Sequence, residues 1–415
     1  MGKTKADFKP AIGPDIKTTA DRSESPTLLE PLVLGASSPL RAELTDLALE
    51  LAQRSASLRA SLPPALLTSL ATLVRSMNCY YSNLIEGHDT HPIDIERALH
   101  GDYSKDTKKR DLQLEAKAHI TVQQWIDEGG ITGGAVTMQA LQEIHRSFCA
   151  ALPEELLWAE DPATHARIRV IPGALRTRDV AVGGHIAISA PAVPRFMHRF
   201  EEVYSRLGKS ETVLAAAAAH HRLTWIHPFL DGNGRVARLM SHATLLDALN
   251  TGAVWSAARG LARNVDKYKE HLAACDQTRR NDLDGRGNLS EENLAHFTRF
   301  FLNTCIDQVT FMEGLMQPDV LRTRILLWAE EETRLGYLPP KSGAILEATL
   351  YRGELPRGEA AGIVGSGDRH ARRVVSALIE RGVLTSASSR ASLRLAFPAS
   401  LSSRWMPGLF PDKTS

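Results

Sequence analysis

The twelve residues from 227 to 238, HPFLDGNGRVAR, combine side chains that could transfer part of a nucleotide. His227 can take up and release a proton near neutral pH, so it is a candidate base. Asp231 offers hard carboxylate oxygens, which suit Mg²⁺ better than zinc. A base and a hard-metal ligand in one short segment indicate chemistry on a phosphate.

The same segment contains a candidate anion site. Three loop residues allow backbone angles that bring consecutive N–H groups onto one anion: Gly232, Asn233 and Gly234. The residues that follow predict the first turns of a helix, whose N-terminus favours phosphate. Arg235 and Arg238 share one face of that helix and present planar forks to phosphate oxygens.

Each of these features alone would indicate ordinary structure, since a Gly-Asn-Gly is usually a turn and spaced arginines usually form a solvated helix face. The complete string is different because every part stands where the others need it. The string therefore predicts a site that transfers part of a nucleotide to a nucleophile.

At this point the sequence resembles the Fic motif. The matching positions are His227, Phe229, Asp231, Gly232, Asn233, Gly234, Arg235 and Arg238. Most Fic proteins transfer AMP from ATP to a hydroxyl group of a target protein. Position 234 is glycine, whereas kinase-like relatives carry lysine there, and this favours AMP transfer over phosphoryl transfer.

The resemblance implies a role for each motif residue. His227 would be the general base for a Ser, Thr or Tyr hydroxyl, and Asp231 would hold Mg²⁺. The glycine loop would bind the α- and β-phosphates of ATP. Arg235 would grip the β-phosphate and Arg238 the γ-phosphate, while Phe229 would pack in the core and fix the loop.

Residues 82–87, SNLIEG, resemble the inhibitory motif of the same family at Ser82, Glu86 and Gly87. Apolar residues recur at helical spacing over about 64–87, so Ser82 and Glu86 would lie on one face of a helix that ends before Gly87. By resemblance, Glu86 would pair with Arg238 and occupy the place of the γ-phosphate. Read alone, Glu86 would be a surface carboxylate at a helix end.

Two β-rich runs on either side of Gly-Gly predict a hairpin. Fic proteins carry a hairpin flap here that aligns the target segment, and the flap residues would be Val180, Val182, Gly183, Gly184 and Ile186. An ordinary surface hairpin is the alternative. By the same resemblance, Asn264 and Tyr268 would line the adenine pocket, although a tyrosine on a helix is more often a core residue.

The segments that surround these residues have mostly helical patterns. By the resemblance, the expected fold is a Fic-type helical bundle with a β-hairpin flap and a C-terminal winged helix-turn-helix domain. We expect a disordered tail at 1–27, a Fic catalytic domain with its helical extension at 28–318, a winged-helix domain at 319–398 and a tail at 399–415. The helix that would begin with Asp368 as N-cap carries arginines that could meet DNA phosphates. Protein contacts or dimerisation are the alternative for this domain.

Composition and charge give no support to other classes of protein, such as nucleic-acid-binding, membrane or secreted proteins. The 415 residues carry a net charge of +1, so bulk charge gives no argument for binding nucleic acid or a membrane. No apolar run approaches the roughly 18–20 residues of a membrane span. The first residues lack the apolar core of a signal peptide, and the four cysteines form no Cys-x-x-Cys, so we expect reduced thiols and a cytoplasmic protein. The histidines near the motif match no standard zinc spacing.

These patterns together predict an autoinhibited protein adenylyltransferase that uses ATP and Mg²⁺ and acts on a target protein, including itself. A homodimer remains open. Three other functions remain open as well: transfer of another nucleotide or of phosphocholine, removal of AMP with Glu86 as a catalytic group, and a winged-helix DNA-binding regulator whose Fic part senses nucleotide.

Overall fold

A computed structural model describes residues 20–160 and 165–411 of the chain. These residues form the predicted, mostly helical fold. The helices up to the motif are α1 (Arg41–Ala60), α2 (Pro64–Ile85), α3 (Pro92–Leu99), α4 (Thr107–Asp127), α5 (Met138–Ala150), α6 (Val193–Tyr204) and α7 (Lys209–Ile226). The helices after it are α8 (Asn233–Leu249), α9 (Ala257–Arg263), α10 (Val265–Cys275), α11 (Glu291–Met316), α12 (Pro318–Arg334), α13 (Ser342–Arg352), α14 (Ala360–Val364), α15 (Asp368–Glu380) and α16 (Ser402–Trp405).

The strands are short. They are β1 (Trp158–Glu160), β2 (Arg167–Arg169), β3 (Ala181–Val182), β4 (His185–Ile186), β5 (Glu354–Leu355), β6 (Leu384–Thr385) and β7 (Leu393–Leu395). β1 pairs with β2, and β3 pairs with β4 as the predicted hairpin, in which Ala181 faces Ile186. The third sheet has the antiparallel order β5-β7-β6.

Helix α7 lies at the centre of the bundle and packs against α1, α6, α8 and α11. Its run of five alanines, 215–219, is buried. Alanine is the best helix former and leaves room for close neighbours, so this run suits a central helix. The motif loop connects α7 to α8, and both helices are buried along most of their length. The loop is therefore anchored at both ends.

Helix α2 matches the helix expected to carry the inhibitory motif, and Gly87 follows its end with φ +86°. One capping prediction was wrong. Asp368 is the first residue of α15, and Gly367 is its N-cap with no side-chain capping bond. A carboxylate in the first turn still faces the positive end of the helix dipole, which explains why Asp368 suits this place without capping it.

The predicted N-terminal tail, 1–27, is too long. Residues 1–19 lie outside the described part, but residues 20–27 make specific polar contacts. Arg22 Nη1 donates to Asp179 Oδ2 at 3.0 Å, and Ser189 Oγ donates to Glu24 Oε2 at 2.6 Å. The sequence is polar, which indicated disorder, but its charged groups find partners next to the β3–β4 hairpin.

The predicted C-terminal tail, 399–415, is also wrong for residues 399–411. Trp405 is 1% exposed and packs edge to face on Trp328, with ring centroids 5.3 Å apart. Leu409 is fully buried, and its carbonyl accepts a hydrogen bond from Tyr81 Oη at 3.0 Å. Apolar side chains of this segment thus cover α12 and α2. Residues 412–415 lie outside the described part.

The C-terminal unit runs in the order α13, β5, α14, α15, β6, β7. A winged-helix domain includes a hairpin such as β6–β7, but the two-residue strand β5 was not predicted, because it is too short to show an alternating pattern. This order fits the predicted winged helix-turn-helix domain, which stays a prediction. Arg369, Arg372 and Arg373 are exposed on α15. Among the described helices, none has both the length and the apolar character needed to cross a membrane.

Replacing Trp405 with alanine should lower the free energy of unfolding by about 3–5 kcal/mol, because it empties a buried aromatic site. Urea unfolding followed by circular dichroism measures this. The control is Ser403→Ala, at an exposed position two residues earlier, which should change stability by less than about 0.5 kcal/mol. Equal stabilities of the two variants would mean that residues 399–411 do not hold the fold together.

Candidate nucleotide-binding and catalytic site

The motif loop is shaped by two residues in the left-handed region. His227 ends α7 with φ 52° and ψ 63°, and Gly232 precedes α8 with φ 81°. Inside the loop, Phe229 N donates to Asn233 Oδ1 and Asn233 Nδ2 donates to Phe229 O, both at 2.9 Å. The Asn233 side chain therefore stabilises the loop, and only the backbone N–H of Asn233 is free to bind an anion.

The side chain of His145 on α5 packs against the motif loop. Its ring stacks on Phe229 with centroids 4.1 Å apart, and its Nδ1 accepts a hydrogen bond from Gly173 N at 2.8 Å. The proton must then sit on Nε2, which donates to Asp231 O at 3.2 Å. Burial lowers the pKa of His145 to about 4, so the ring is neutral at neutral pH. No local signal in the sequence marked this residue.

The His227 imidazole is buried, with 8% exposure. Its Nδ1 lies 3.4 Å from Thr224 O, so Nδ1 carries the proton in this arrangement and Nε2 keeps a free lone pair. Burial, followed by the charge of Arg176, lowers the pKa of His227 to about 3. The imidazole is therefore neutral at neutral pH and can accept a proton.

Asp231 stands half-buried at the start of the cradle. Its Oδ1 accepts a hydrogen bond from Gly232 N at 2.7 Å, which fixes the carboxylate beside the N-terminus of α8. Within residues 20–160 and 165–411, no group of three His, Cys, Asp or Glu side chains could hold a metal. A single carboxylate suits Mg²⁺, which commonly binds through one or two carboxylates with substrate phosphates.

Arg235 is buried in the first turn of α8, and its charge is balanced by Glu115 of α4 through an ion pair. Glu115 also accepts from His88 Nδ1, with an oxygen–nitrogen distance of 2.7 Å. Its hydrogen bond to Glu115 raises the pKa of His88. Glu115 was not predicted as a partner, because 120 residues separate it from Arg235.

Arg238 pairs with Glu86, as the inhibitory motif implied. Arg238 Nη2 lies 2.5 Å from Glu86 Oε1, and Arg238 Nε donates to Ser82 Oγ at 2.9 Å. Burial alone would raise the pKa of Glu86, but the charges of Arg238 and then Arg235 outweigh it and hold the pKa at about 2. A β-carbon at position 234 would lie 2.6 Å from Glu86 Oε1, so the carboxylate occupies space that Gly234 leaves open.

The β3–β4 hairpin lies beside the end of α7, where His185 Nε2 donates to Trp225 O at 2.8 Å. Ile186 is 66% exposed, whereas Val180 is 2% exposed and faces the interior. A cavity of about 420 Å³ separates the hairpin from α7 and α10 and is lined by Val182, Gly183, Gly184 and Ile186, among others. Val180 therefore supports the hairpin rather than offering a docking surface.

The two expected adenine-pocket residues differ in burial. Tyr268 is buried, and its hydroxyl is hydrogen-bonded to His220 Nε2 at 2.6 Å. Asn264 is exposed between α9 and α10, and its Nδ2 donates to Gly260 O at 3.0 Å. The alternative of a core tyrosine fits Tyr268 better.

Comparison with known proteins agrees with this site. Residues 135–245 match the Fic/DOC family model. Proteins named protein adenylyltransferase Fic from Drosophila willistoni and Drosophila melanogaster are each 29% identical over 171 residues, which is 41% of this chain and 31% and 32% of theirs. The chain thus spans about a third of the length of these relatives. The segment 135–245 is therefore similar to the Fic/DOC family, and the intact motif from His227 to Arg238 lies within it.

Solved structures support the fold. A Fic family protein from Desulfovibrio desulfuricans has a TM-score of 0.52 at 17% identity and covers 88% of this chain and 98% of its own. Fic-1 from C. elegans has a TM-score of 0.50 at 14% identity and covers 68% and 75%. At these identities the likeness concerns the fold alone.

Replacing Glu115 with alanine should lower the free energy of unfolding by about 3–5 kcal/mol, because it leaves Arg235 as a buried charge without its carboxylate. Urea unfolding gives the value. Glu115→Gln keeps the shape and one acceptor but also removes the charge, so it should lose a similar amount. A much smaller loss for Glu115→Gln would mean that packing and hydrogen bonding, and not charge, carry the effect, whereas no loss for either variant would refute the pairing.

Proposed function

We propose that this protein is an adenylyltransferase that transfers AMP from ATP to a Ser, Thr or Tyr hydroxyl of a target protein. One observation carries the proposal: a neutral His227 lies in the same braced loop as a helix N-terminus that presents two buried arginines to an anion. The names of the Drosophila relatives agree with it.

The reaction would proceed at the α-phosphorus of ATP. The hydroxyl oxygen forms a bond to the α-phosphorus while its proton moves to Nε2 of His227. The bond from that phosphorus to the bridging oxygen breaks, and pyrophosphate leaves. The backbone N–H groups of the glycine loop and the arginines of α8 stabilise the charge on the phosphate oxygens.

Asp231 is the residue that would hold Mg²⁺, since it is a hard carboxylate fixed beside the phosphate cradle. When bound, the cation neutralises phosphate charge. Arg235 keeps its orientation through Glu115, so its guanidinium is ready for a β-phosphate before the nucleotide binds.

Autoinhibition by Glu86 belongs to the same proposal. The carboxylate of Glu86 takes the guanidinium of Arg238 that a γ-phosphate would need, and the two anions cannot share that place. The Glu86 side chain is 31% exposed, while the Arg238 side chain is 4% exposed. The carboxylate can therefore leave towards solvent while the arginine stays.

The first test compares self-labelling from ATP carrying radiolabel on either its α- or its γ-phosphate. Glu86→Gly should incorporate much more α-label than the wild type, because Arg238 becomes free. Glu86→Gly with His227→Ala should incorporate none, since the base is lost, but calorimetry should show that it still binds ATP. Glu86→Gly with His100→Ala, which removes an exposed histidine, is the control and should label fully.

Each other outcome would contradict part of the proposal and favour a different function. Label from the γ-phosphate would indicate a kinase-like reaction. Equal labelling of wild type and Glu86→Gly would remove the inhibitory role of Glu86. No label from either phosphate would favour another donor, AMP removal, or a winged-helix regulator whose Fic part senses nucleotide; DNA binding that persists in His227→Ala would favour this last function.

Acid in the physiological range should not release Glu86. Its pKa is lowered, so the Arg238 pairing is complete above the ordinary value of 4.5 and is lost only as pH falls through about 2. The ratio of the Glu86→Gly rate to the wild-type rate should therefore stay constant from about pH 6 to about pH 8. A ratio that changes in this range in a variant that also carries His88→Ala, where the charge of that neighbouring histidine is absent, would contradict an inhibition held by the Glu86 carboxylate.

A further inference from the structure

The backbone conformation of His227 requires support from its surroundings. Its φ of 52° and ψ of 63° are unfavourable for a residue with a β-carbon, and such a conformation persists only where neighbours hold it. The contact of its own ring with Thr224 O, at 3.4 Å, is too long to fix the orientation alone. Another group must keep this residue in place.

Arg176 supplies that support from the segment before β3. Its Nε donates to His227 O at 2.7 Å, and its Nη2 reaches Ile226 O at 3.4 Å. Its own backbone N–H donates to Pro228 O at 2.9 Å. One residue therefore holds three consecutive carbonyl groups where α7 turns into the motif loop.

The same guanidinium also binds both sides of the β3–β4 hairpin. Nη1 donates to Arg178 O before the hairpin at 2.9 Å, and Nη2 donates to Ile188 O after it at 2.6 Å. The Arg176 side chain is fully buried, and the Asp179 carboxylate lies 3.8 Å away. Burial lowers the pKa of Arg176 only to about 10, so the charge and all donors persist at neutral pH.

We propose that Arg176 is a positioning residue that sets the base His227 in register with the hairpin that presents the target hydroxyl. This rests on the proposed function. The argument is geometric: a planar guanidinium fixes the relative directions of its donors, so the carbonyls on the two sides cannot move independently. A hydroxyl aligned on β3–β4 then meets Nε2 of His227 at a distance that Arg176 determines.

A purely structural role for Arg176 makes a different prediction. If Arg176 only stabilised the domain, its loss would weaken folding and nucleotide binding together with the rate. The proposed phosphate cradle lies at residues 232–238, and within the described part of the chain Arg176 forms no hydrogen bond or ion pair with it. Loss of a positioning residue should therefore lower the transfer rate and leave ATP affinity unchanged.

The experiment uses the full chain with Glu86→Gly and compares Arg176→Met, Arg176→Lys and Arg178→Met. The control Arg178→Met removes an exposed arginine two residues away. For Arg176→Met we expect a fall of about 100-fold in labelling rate at saturating ATP, as for a misplaced reacting group. Its ATP dissociation constant from calorimetry should stay within about 2-fold of the parent, and Arg178→Met should match the parent in both.

Arg176→Lys keeps the charge but loses the planar fork, so it should fold and still transfer slowly. Full rescue by lysine, or a rate loss accompanied by an equal loss of ATP affinity, would overturn the proposal. If Arg176→Met does not fold, the lysine variant decides by the same criteria.

A second readout separates this proposal from the proposed function. Histidine-selective isotope labelling gives NMR resonances of His227, assigned by their absence in His227→Ala. They should shift in Arg176→Lys and stay in place in Arg178→Met whether or not any AMP is transferred. If the Glu86→Gly parent incorporates no AMP, the result counts against adenylyl transfer. If the His227 resonances do not shift in Arg176→Lys, the positioning role itself is refuted.

Discussion

Two buried guanidinium groups in the first two turns of α8, those of Arg235 and Arg238, need anionic partners, and neighbouring side chains supply them. A buried cation without a partner costs several kcal/mol, and the N-terminus of the helix adds to the positive potential. Arg235 is neutralised by Glu115 and Arg238 by Glu86. In the proposed function, Glu86 is the anion that balances the charge of Arg238 whenever no phosphate is bound.

The two pairs differ in how easily they can be exchanged. The Glu115 side chain is 10% exposed and comes from the middle of α4, whereas that of Glu86 is 31% exposed and follows the last turn of α2. Removal of Glu115 would disturb a packed helix, but Glu86 can move with the end of one helix. This asymmetry suits a permanent partner for Arg235 and an exchangeable partner for Arg238.

Much of the candidate site could be predicted from the sequence because its residues are close along the chain. The loop from 227 to 238 and the helix before Gly87 both follow from local spacing. Glu115, His145 and Arg176 could not be found in this way, since each reaches the loop from a distant segment and none stands in a local pattern. Tertiary contacts likewise explain the ordered residues 20–27 and 399–411, where polar composition or a terminal position suggested tails.

Gly234 lies at a position that matters both for the pairing of Glu86 with Arg238 and for the proposed phosphate cradle. Its missing side chain leaves room for Glu86, and the same backbone stretch forms the cradle for an anion. In the proposed function, a side chain added here would therefore disturb the Glu86–Arg238 pairing and the phosphate cradle together, whereas a change of Glu86 would disturb the pairing alone.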